Sequence, residues 1–130
     1  MRIPLHKIYK ASSSILCMKT SGLGVDIIEV QRFKNLAETS PFYEKVFSAE
    51  EMKYCQSKNN PAESLAGIFA AKEAVRKALN AETITFRDII ITHQKNGAPQ
   101  CAVKNWPSSI AVSIAHSGGF AIAACIDEKR

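Results

Sequence analysis

Residues 69–79 read Phe69-Ala70-Ala71-Lys72-Glu73-Ala74-Val75-Arg76-Lys77-Ala78-Leu79, an apolar helical pattern that carries a compact group of charges. Upstream, Asn60 can cap a helix, Pro61 suits its first position and Glu63 its third, which predicts a capping box. Apolar residues then recur at spacings typical of one core-facing side, at Leu65, Ile68, Phe69, Val75 and Leu79. We therefore predict a long central helix over residues 61–79, about 28 Å in length at ~1.5 Å per residue.

Shorter elements are predicted before this helix. An apolar strand should run over about residues 23–28, and an amphipathic helix or helical turn should follow over residues 30–37. Ser48 and Glu51 carry a second capping-box signal, which predicts a helix that continues to about Ser57.

The last third of the chain is predicted to be β structure. Residues 86–92 are rich in isoleucine, and Asn96-Gly97 is a strong signal for a hairpin turn. Pro99 restricts the return strand to a sheet edge or a late start. A second hairpin should join residues 110–115 to residues 120–126. The predicted fold class is α+β, with a long central helix and shorter helices packed on a small antiparallel sheet.

Length and composition indicate one soluble globular domain, assigned to residues 19–130. The chain has 130 residues, of which 46% are hydrophobic and 22% are charged. No apolar run approaches the ~18 residues of a membrane span.

A net charge of +5 favours an anionic partner: a nucleic acid, a phosphorylated small molecule or an acidic protein. The four cysteines lack metal-site or redox spacing and are expected to be free thiols in a reducing cytoplasm.

Residues 1–18 form a predicted N-terminal extension. Basic residues and a run of serines occur there without any acidic residue, as in a weak organelle transit peptide. A functional start at Met18 explains this composition equally well. We expect a cytoplasmic protein, or an organellar one if the extension is a targeting segment.

Two carboxylates suggest a divalent cation. Asp26 lies within an apolar strand, where a carboxylate is costly unless it is paired, hydrogen-bonded or metal-bound. Glu73 lies on the central helix beside lysines. Two carboxylates leave most positions on Mg²⁺ to water and ligand oxygens, which suits a bound pyrophosphate. Lysines on the same helix can neutralise the remaining phosphate charge.

Each of these residues also has a simpler structural interpretation. Asp26 can end its strand by accepting backbone N–H bonds. Glu73 and Lys77 have the spacing of a solvated helical ion pair, worth only ~0.2–0.5 kcal/mol, and Lys72 then belongs to the same solvated face. A strand-end histidine such as His116 is more often packed and hydrogen-bonded than catalytic.

Four segments in order carry a family resemblance. Residues 22–29 with Arg32 resemble the opening of holo-acyl carrier protein synthases, and residues 65–74 with Lys77 are similar to the central-helix motif of that family. Asn96-Gly97-Ala98-Pro99 resembles the family's turn, and residues 112–117 resemble its late strand. The helix motif is the most specific of the four.

The resemblance implies a phosphopantetheinyl transferase-like fold and a Mg²⁺-dependent activity. The implied reaction transfers 4′-phosphopantetheine from coenzyme A (CoA) to a serine of an acyl carrier protein and releases adenosine 3′,5′-bisphosphate. The partners are an acidic carrier protein and CoA, with no nucleic acid or membrane, and the implied assembly is a homotrimer with sites between subunits. The implied site consists of Asp26 and Glu73 as metal ligands, Glu73 and Lys72 as catalytic residues, Lys72, Lys77, His116 and Ser117 as CoA contacts, and Arg32 as a carrier-protein contact.

The implied chemistry follows from these groups. Mg²⁺ bridges pyrophosphate oxygens and withdraws charge as the serine oxygen attacks the β-phosphorus. Lysine ammonium groups stabilise charge on the departing bisphosphate. Either Glu73 or a metal-bound water accepts the serine proton.

Three positions depart from the family pattern. Ile68 occupies a usually basic position, the loop at residues 80–84 is short and lacks glycine, and Ala98 stands where lysine is common. These changes weaken the implied contacts with the CoA phosphates, whereas the implied metal ligands Asp26 and Glu73 are retained. Ile68 either borders the phosphate site or belongs to the core stripe. An active transferase is expected; the alternatives are an impaired family member that binds carrier protein or nucleotide, and an unrelated basic domain that binds nucleic acid.

Overall fold

The computed structural model describes residues 22–128, so the predicted extension at residues 1–18 lies outside the described residues. The helices are α1 Gln31–Asn35, α2 Phe42–Val46, α3 Ala49–Gln56 and α4 Pro61–Leu79, followed by a 3₁₀ turn at Phe86–Asp88. The strands are β1 Gly22–Glu29, β2 Ile89–His93, β3 Pro99–Val103, β4 Ser109–Ser117 and β5 Phe120–Glu128. Over residues 22–128, no helix has both the length and the apolar character required to cross a membrane.

All strands join one antiparallel sheet in the order β1-β5-β4-β3-β2. The first strand pairs with the last along its full length, from Gly22 opposite Asp127 to Glu29 opposite Phe120. Helix α4 packs across β1, β5 and β4. The predicted α+β fold, with one long helix on a small antiparallel sheet, is confirmed.

Two glycines let β1 lie directly against α4. A Cβ placed on Gly24 would clash with the carbonyl oxygen of Ala74, and one on Gly22 would clash with that of Ala78. Asp26 is the next residue on this face of the strand, because alternate residues point to the same side. The close contact therefore carries the Asp26 carboxylate to the surface of α4.

The apolar side of α4 forms the centre of the core. Its predicted stripe is buried at every position: Leu65, Ile68, Phe69, Val75 and Leu79. Ile68 is 1% exposed, so its side chain belongs to the core. Every alanine of the helix after Ala62 is also buried, and these small side chains let the sheet pack closely.

The predicted helix caps are formed with one difference. Ser48 and Glu51 make the expected reciprocal capping box at α3. At α4, the Asn60 side chain accepts the Glu63 N–H at 3.3 Å, but the Glu63 carboxylate meets the side-chain amide of Asn60 instead of its backbone N–H. Asn80 ends α4 with φ 47°, a left-handed conformation that asparagine tolerates better than most residues.

Two elements differ from the sequence prediction. Helix α2 was not predicted, and the strand expected over residues 86–92 begins only at Ile89. The Asp88 carboxylate accepts hydrogen bonds from the backbone N–H and the hydroxyl of Thr85, and these contacts hold residues 86–88 in a 3₁₀ turn. Both predicted hairpins are present, and Pro99 is the first residue of its strand.

Candidate active site

Asp26 has one paired and one unpaired carboxylate oxygen. Its Oδ1 accepts a hydrogen bond from Lys77 Nζ at 3.0 Å, whereas its Oδ2 is buried without a hydrogen-bond partner among residues 22–128. An unsatisfied buried oxygen is costly, and a divalent cation would satisfy it. The donor set therefore fits a metal ligand at Asp26.

Lys77 connects α4 to β1. Its Nζ donates to Asp26 Oδ1 and, at 3.1 Å, to the carbonyl oxygen of Val25. The side chain is 56% exposed, and a lysine ammonium has a third hydrogen to offer a ligand. The structure thus brings Asp26 and Lys77 together at one edge of the molecule.

Glu73 lies one helical turn before Lys77 and is half-buried. The predicted ion pair between these two residues is not formed, because Lys77 reaches across to Asp26. Within the described chain, no group of three or more His, Cys, Asp or Glu residues could hold a metal. A cation held by Asp26 and Glu73 would therefore depend on water and ligand oxygens for its other positions.

Lys72 lies outside this site, which corrects the sequence interpretation. Its side chain is fully buried, and its Nζ donates to Glu51 Oε1 at 2.6 Å and to the carbonyl oxygens of Val46 at 2.6 Å and Phe86 at 3.1 Å. Burial lowers the pKa of Lys72, and the hydrogen bond to Glu51 opposes that shift. All three ammonium hydrogens are occupied inside the protein. The predicted CoA-contacting and catalytic roles of Lys72 are therefore wrong for this arrangement.

Glu51 completes the buried network around Lys72. Its Oε1 also accepts the Ser48 backbone N–H, and its Oε2 accepts the Ile91 N–H, both at 2.8 Å. One carboxylate thus links α3, α4 and β2. The capping-box pattern predicted the contact of Glu51 with Ser48. It could not predict the pairing with Lys72, because those residues are 21 positions apart.

His116 is positioned over the first half of α4. Its Nε2 lies 3.0 Å from the Glu63 carbonyl oxygen, and its Nδ1 lies 4.0 Å from Glu63 Oε1. Gly67 allows this approach, since a Cβ there would come within 2.9 Å of His116 Nε2. Ser117 follows at the exposed end of β4. Gly67 and Glu73 are six residues apart, which is about 9 Å along the helix axis.

A cavity of about 210 Å³ lies beside His116. Residues from two helices, three strands and the β2–β3 turn line it, including Tyr54, Ile68, His93, Gly97, Pro99 and His116. The cavity brings together the hairpin turn and the late strand, two segments that carried the resemblance. Ile68 is therefore both a core residue and part of the cavity wall.

Comparison with known proteins identifies the family. Residues 22–125 match the sequence model of the 4′-phosphopantetheinyl transferase superfamily. A holo-[acyl-carrier-protein] synthase of Caldicellulosiruptor saccharolyticus is 39% identical over 118 residues, which cover 83% of this chain and 96% of that protein. The chain belongs to the holo-[acyl-carrier-protein] synthase family. Family membership excludes the alternative that the chain is an unrelated basic domain that binds nucleic acid.

Solved synthase structures share the fold. Helicobacter pylori holo-[acyl-carrier-protein] synthase in complex with coenzyme A matches with a TM-score of 0.73 and 31% identity, over 82% of this chain and 99% of that one. The Bacillus anthracis synthase in complex with CoA (3′,5′-ADP) matches with a TM-score of 0.74 and 30% identity, over 84% of this chain and 96% of that one.

Arg32 of this synthase family member lies on the surface of α1. The side chain is exposed, with its guanidinium carbon 5.5 Å from the centre of the Phe69 ring. This contact with the aromatic face restrains the arginine without removing it from solvent. Arg32 is thus exposed to solvent in a restrained position.

Proposed function

We propose that the chain is an active holo-[acyl-carrier-protein] synthase that transfers 4′-phosphopantetheine from CoA to a serine of apo acyl carrier protein and releases adenosine 3′,5′-bisphosphate. Family membership and the named activity of the relatives support this reaction. The observation that carries it is the buried, unpartnered Oδ2 of Asp26 next to Lys77.

Asp26 and Glu73 would hold Mg²⁺, which when bound withdraws charge from the pyrophosphate of CoA. Lys77 orients the Asp26 carboxylate through Oδ1, so that Oδ2 remains the oxygen available for coordination. The remaining hydrogen of the Lys77 ammonium can bind an adjacent phosphate oxygen. Glu73 or a water molecule accepts the proton of the carrier-protein serine.

The other substrate contacts are proposed on surfaces away from the carboxylates. His116 and Ser117 would contact the adenosine end of CoA beside the cavity. Arg32 would bind an acidic carrier protein, in agreement with the net charge of +5. We further propose a cytoplasmic location, with an organelle as the alternative if residues 1–18 direct targeting.

A homotrimer is proposed because one face of the β1–β5 pair is apolar and exposed. Leu23, Val25 and Ile27 are 70%, 53% and 58% exposed. Leu23 lies opposite Ile126 and Ile27 opposite Ile122, and these β5 residues are also more than 40% exposed. A continuous apolar patch of this kind usually marks a protein interface. Subunits that pack through it could share one CoA site.

The decisive experiment is mass spectrometry of apo acyl carrier protein after incubation with the enzyme, CoA and MgCl₂. We expect a mass increase of one 4′-phosphopantetheine group on one serine. The matched controls are a reaction with EDTA and a reaction with the Asp26→Asn variant. A folded wild-type enzyme that leaves fatty-acid and polyketide carrier proteins unmodified would support the impaired alternative instead.

A further inference from the structure

Two histidines from different strands line the cavity of about 210 Å³. His93 ends β2 and His116 lies near the end of β4, while Ile68 supplies an apolar part of the wall. No lysine or arginine of the described chain is among the lining residues. The only side chains there that can acquire positive charge are therefore the two imidazoles.

The surroundings of His93 hold its ring in a defined position. The Tyr54 ring is stacked on it, with centroids 4.0 Å apart and planes at 6°, and Lys58 Nζ lies 4.6 Å from the Tyr54 centroid. Burial lowers the pKa of His93, the Lys58 charge acts in the same direction, and Glu51 opposes both. On the sheet side His93 faces the uncharged Pro99. The imidazole is therefore largely neutral at pH 7 and can gain a proton when an anion arrives.

Glu63 fixes the position of the His116 ring. The Glu63 carbonyl oxygen and carboxylate, at 3.0 and 4.0 Å, are the groups of α4 that face it. Its neighbour on β5 is the uncharged Ala121. Glu63 can therefore orient the ring while leaving His116 at the cavity wall.

We propose that His93 is a specificity-determining residue that, with His116, binds the 3′-phosphate of CoA in this cavity. The inference rests on the proposed function and assigns that phosphate to two imidazole side chains in place of a lysine or arginine. The pyrophosphate belongs at Asp26 and Glu73, toward the other end of α4, so the phosphate at the adenosine end is the one left for the cavity. Imidazolium groups bind phosphate oxygens through charge-assisted hydrogen bonds.

This arrangement predicts that 3′-phosphate binding depends on pH. A phosphate that binds protonated His93 raises the pKa of that imidazole, so binding takes up a proton and the affinity falls as the pH rises. The effect should be confined to ligands that carry the 3′-phosphate. Adenosine 5′-monophosphate lacks it and is the matched reference, since both nucleotides have the adenosine and the 5′-phosphate.

The test is isothermal titration calorimetry of the full-length protein with adenosine 3′,5′-bisphosphate and with adenosine 5′-monophosphate at pH 6.5 and 8.0. The bisphosphate affinity of wild type should fall about tenfold more than that of the monophosphate between these pH values, as expected when about one proton is taken up. His93→Gln should lower bisphosphate affinity about tenfold at pH 6.5, the loss of roughly one charge-assisted bond, and should reduce the pH dependence. Thr92→Ala, on the opposite face of β2, is the control and should behave as wild type.

An NMR titration of the histidine ring protons in wild type makes the test independent of variant folding. The bisphosphate should raise the apparent pKa of His93, and the monophosphate should not. Bisphosphate affinity that does not change with pH would indicate that a lysine or arginine side chain, from this chain or a neighbouring subunit, binds the 3′-phosphate. That result would overturn the proposal. Failure of the bisphosphate to bind would overturn it as well. Binding as predicted without transfer to any carrier protein would refute the proposed activity and retain this inference.

Discussion

Lys77 Nζ lies 3.0 Å from Asp26 Oδ1, and this contact joins residues that are 51 positions apart. The ammonium occupies one oxygen of the carboxylate and leaves Oδ2 without a partner in the described part of the chain. The central helix thereby fixes the orientation of a strand carboxylate.

Removal of either proposed metal ligand should abolish transfer. Asp26→Asn and Glu73→Gln preserve side-chain size but remove a negative charge from the cation site, so we expect at least about a 100-fold loss of kcat/KM. Activity should be measured across a MgCl₂ titration, with circular dichroism as the folding control. Near-native activity of both variants at limiting Mg²⁺ would show that the metal site lies elsewhere.

The two lysines of α4 should differ in their effect on stability. Lys72→Met leaves the Glu51 charge buried without its partner, which should lower the free energy of unfolding by about 3–5 kcal/mol. Lys77→Met removes an exposed ion pair and should change stability by less than about 1 kcal/mol while raising the KM for CoA. Urea unfolding and steady-state kinetics separate the two roles. Equal destabilisation by both variants would contradict the assignment.

The exposed face of β1 and β5 should control assembly. Ile27→Glu places a charge in the centre of this face, and because Ile27 is 58% exposed in the single subunit, the subunit fold should persist. Analytical ultracentrifugation should show a trimer for wild type and a monomer for the variant. Glu29→Gln on the same strand face is a polar control. A concentration-independent wild-type monomer would rule out the proposed trimer.

His93 should make stability depend on pH in the acid range. Its folded-state pKa lies below the ordinary 6.5, so between the two values the unfolded chain binds more protons and stability falls as the pH is lowered. Wild type should therefore lose stability relative to His93→Gln from pH 7 to pH 5. Thermal melting of both proteins across this range measures the difference. If the melting temperatures of the two proteins change with pH in parallel, burial does not lower the pKa of His93.

Ile68→Arg should supply the cavity with a permanent cation. The stem of the arginine would replace the buried isoleucine, and the guanidinium would extend into the cavity that Ile68 lines. We expect about tenfold tighter binding of adenosine 3′,5′-bisphosphate and a weaker pH dependence. Calorimetry gives the affinity, and thermal melting detects an arginine trapped in the core. Unchanged affinity in a normally stable variant would show that position 68 does not affect the phosphate site.

Local sequence patterns predicted the helix caps, the buried stripe of α4 and both hairpins. Ser48 and Glu51 are three residues apart and define their cap without any distant contact. Asn96-Gly97 similarly predicts a turn from the backbone preferences of two adjacent residues. These features depend on interactions within one or two turns of the chain, so the amino-acid sequence by itself determined them.

Tertiary packing decided which charged residues of α4 are buried and which reach the proposed site. Lys72 and Lys77 are five residues apart, which places them about 140° apart around the helix axis. The segment that precedes α4 buries Lys72 against Glu51, whereas β1 directs Lys77 to Asp26. His93 and His116 likewise meet at one cavity only because the sheet brings β2 and β4 to the same side of α4. Each of these contacts joins residues that are far apart in the sequence, so its formation depends on how the whole chain packs. Only the folded chain therefore determines which residues meet.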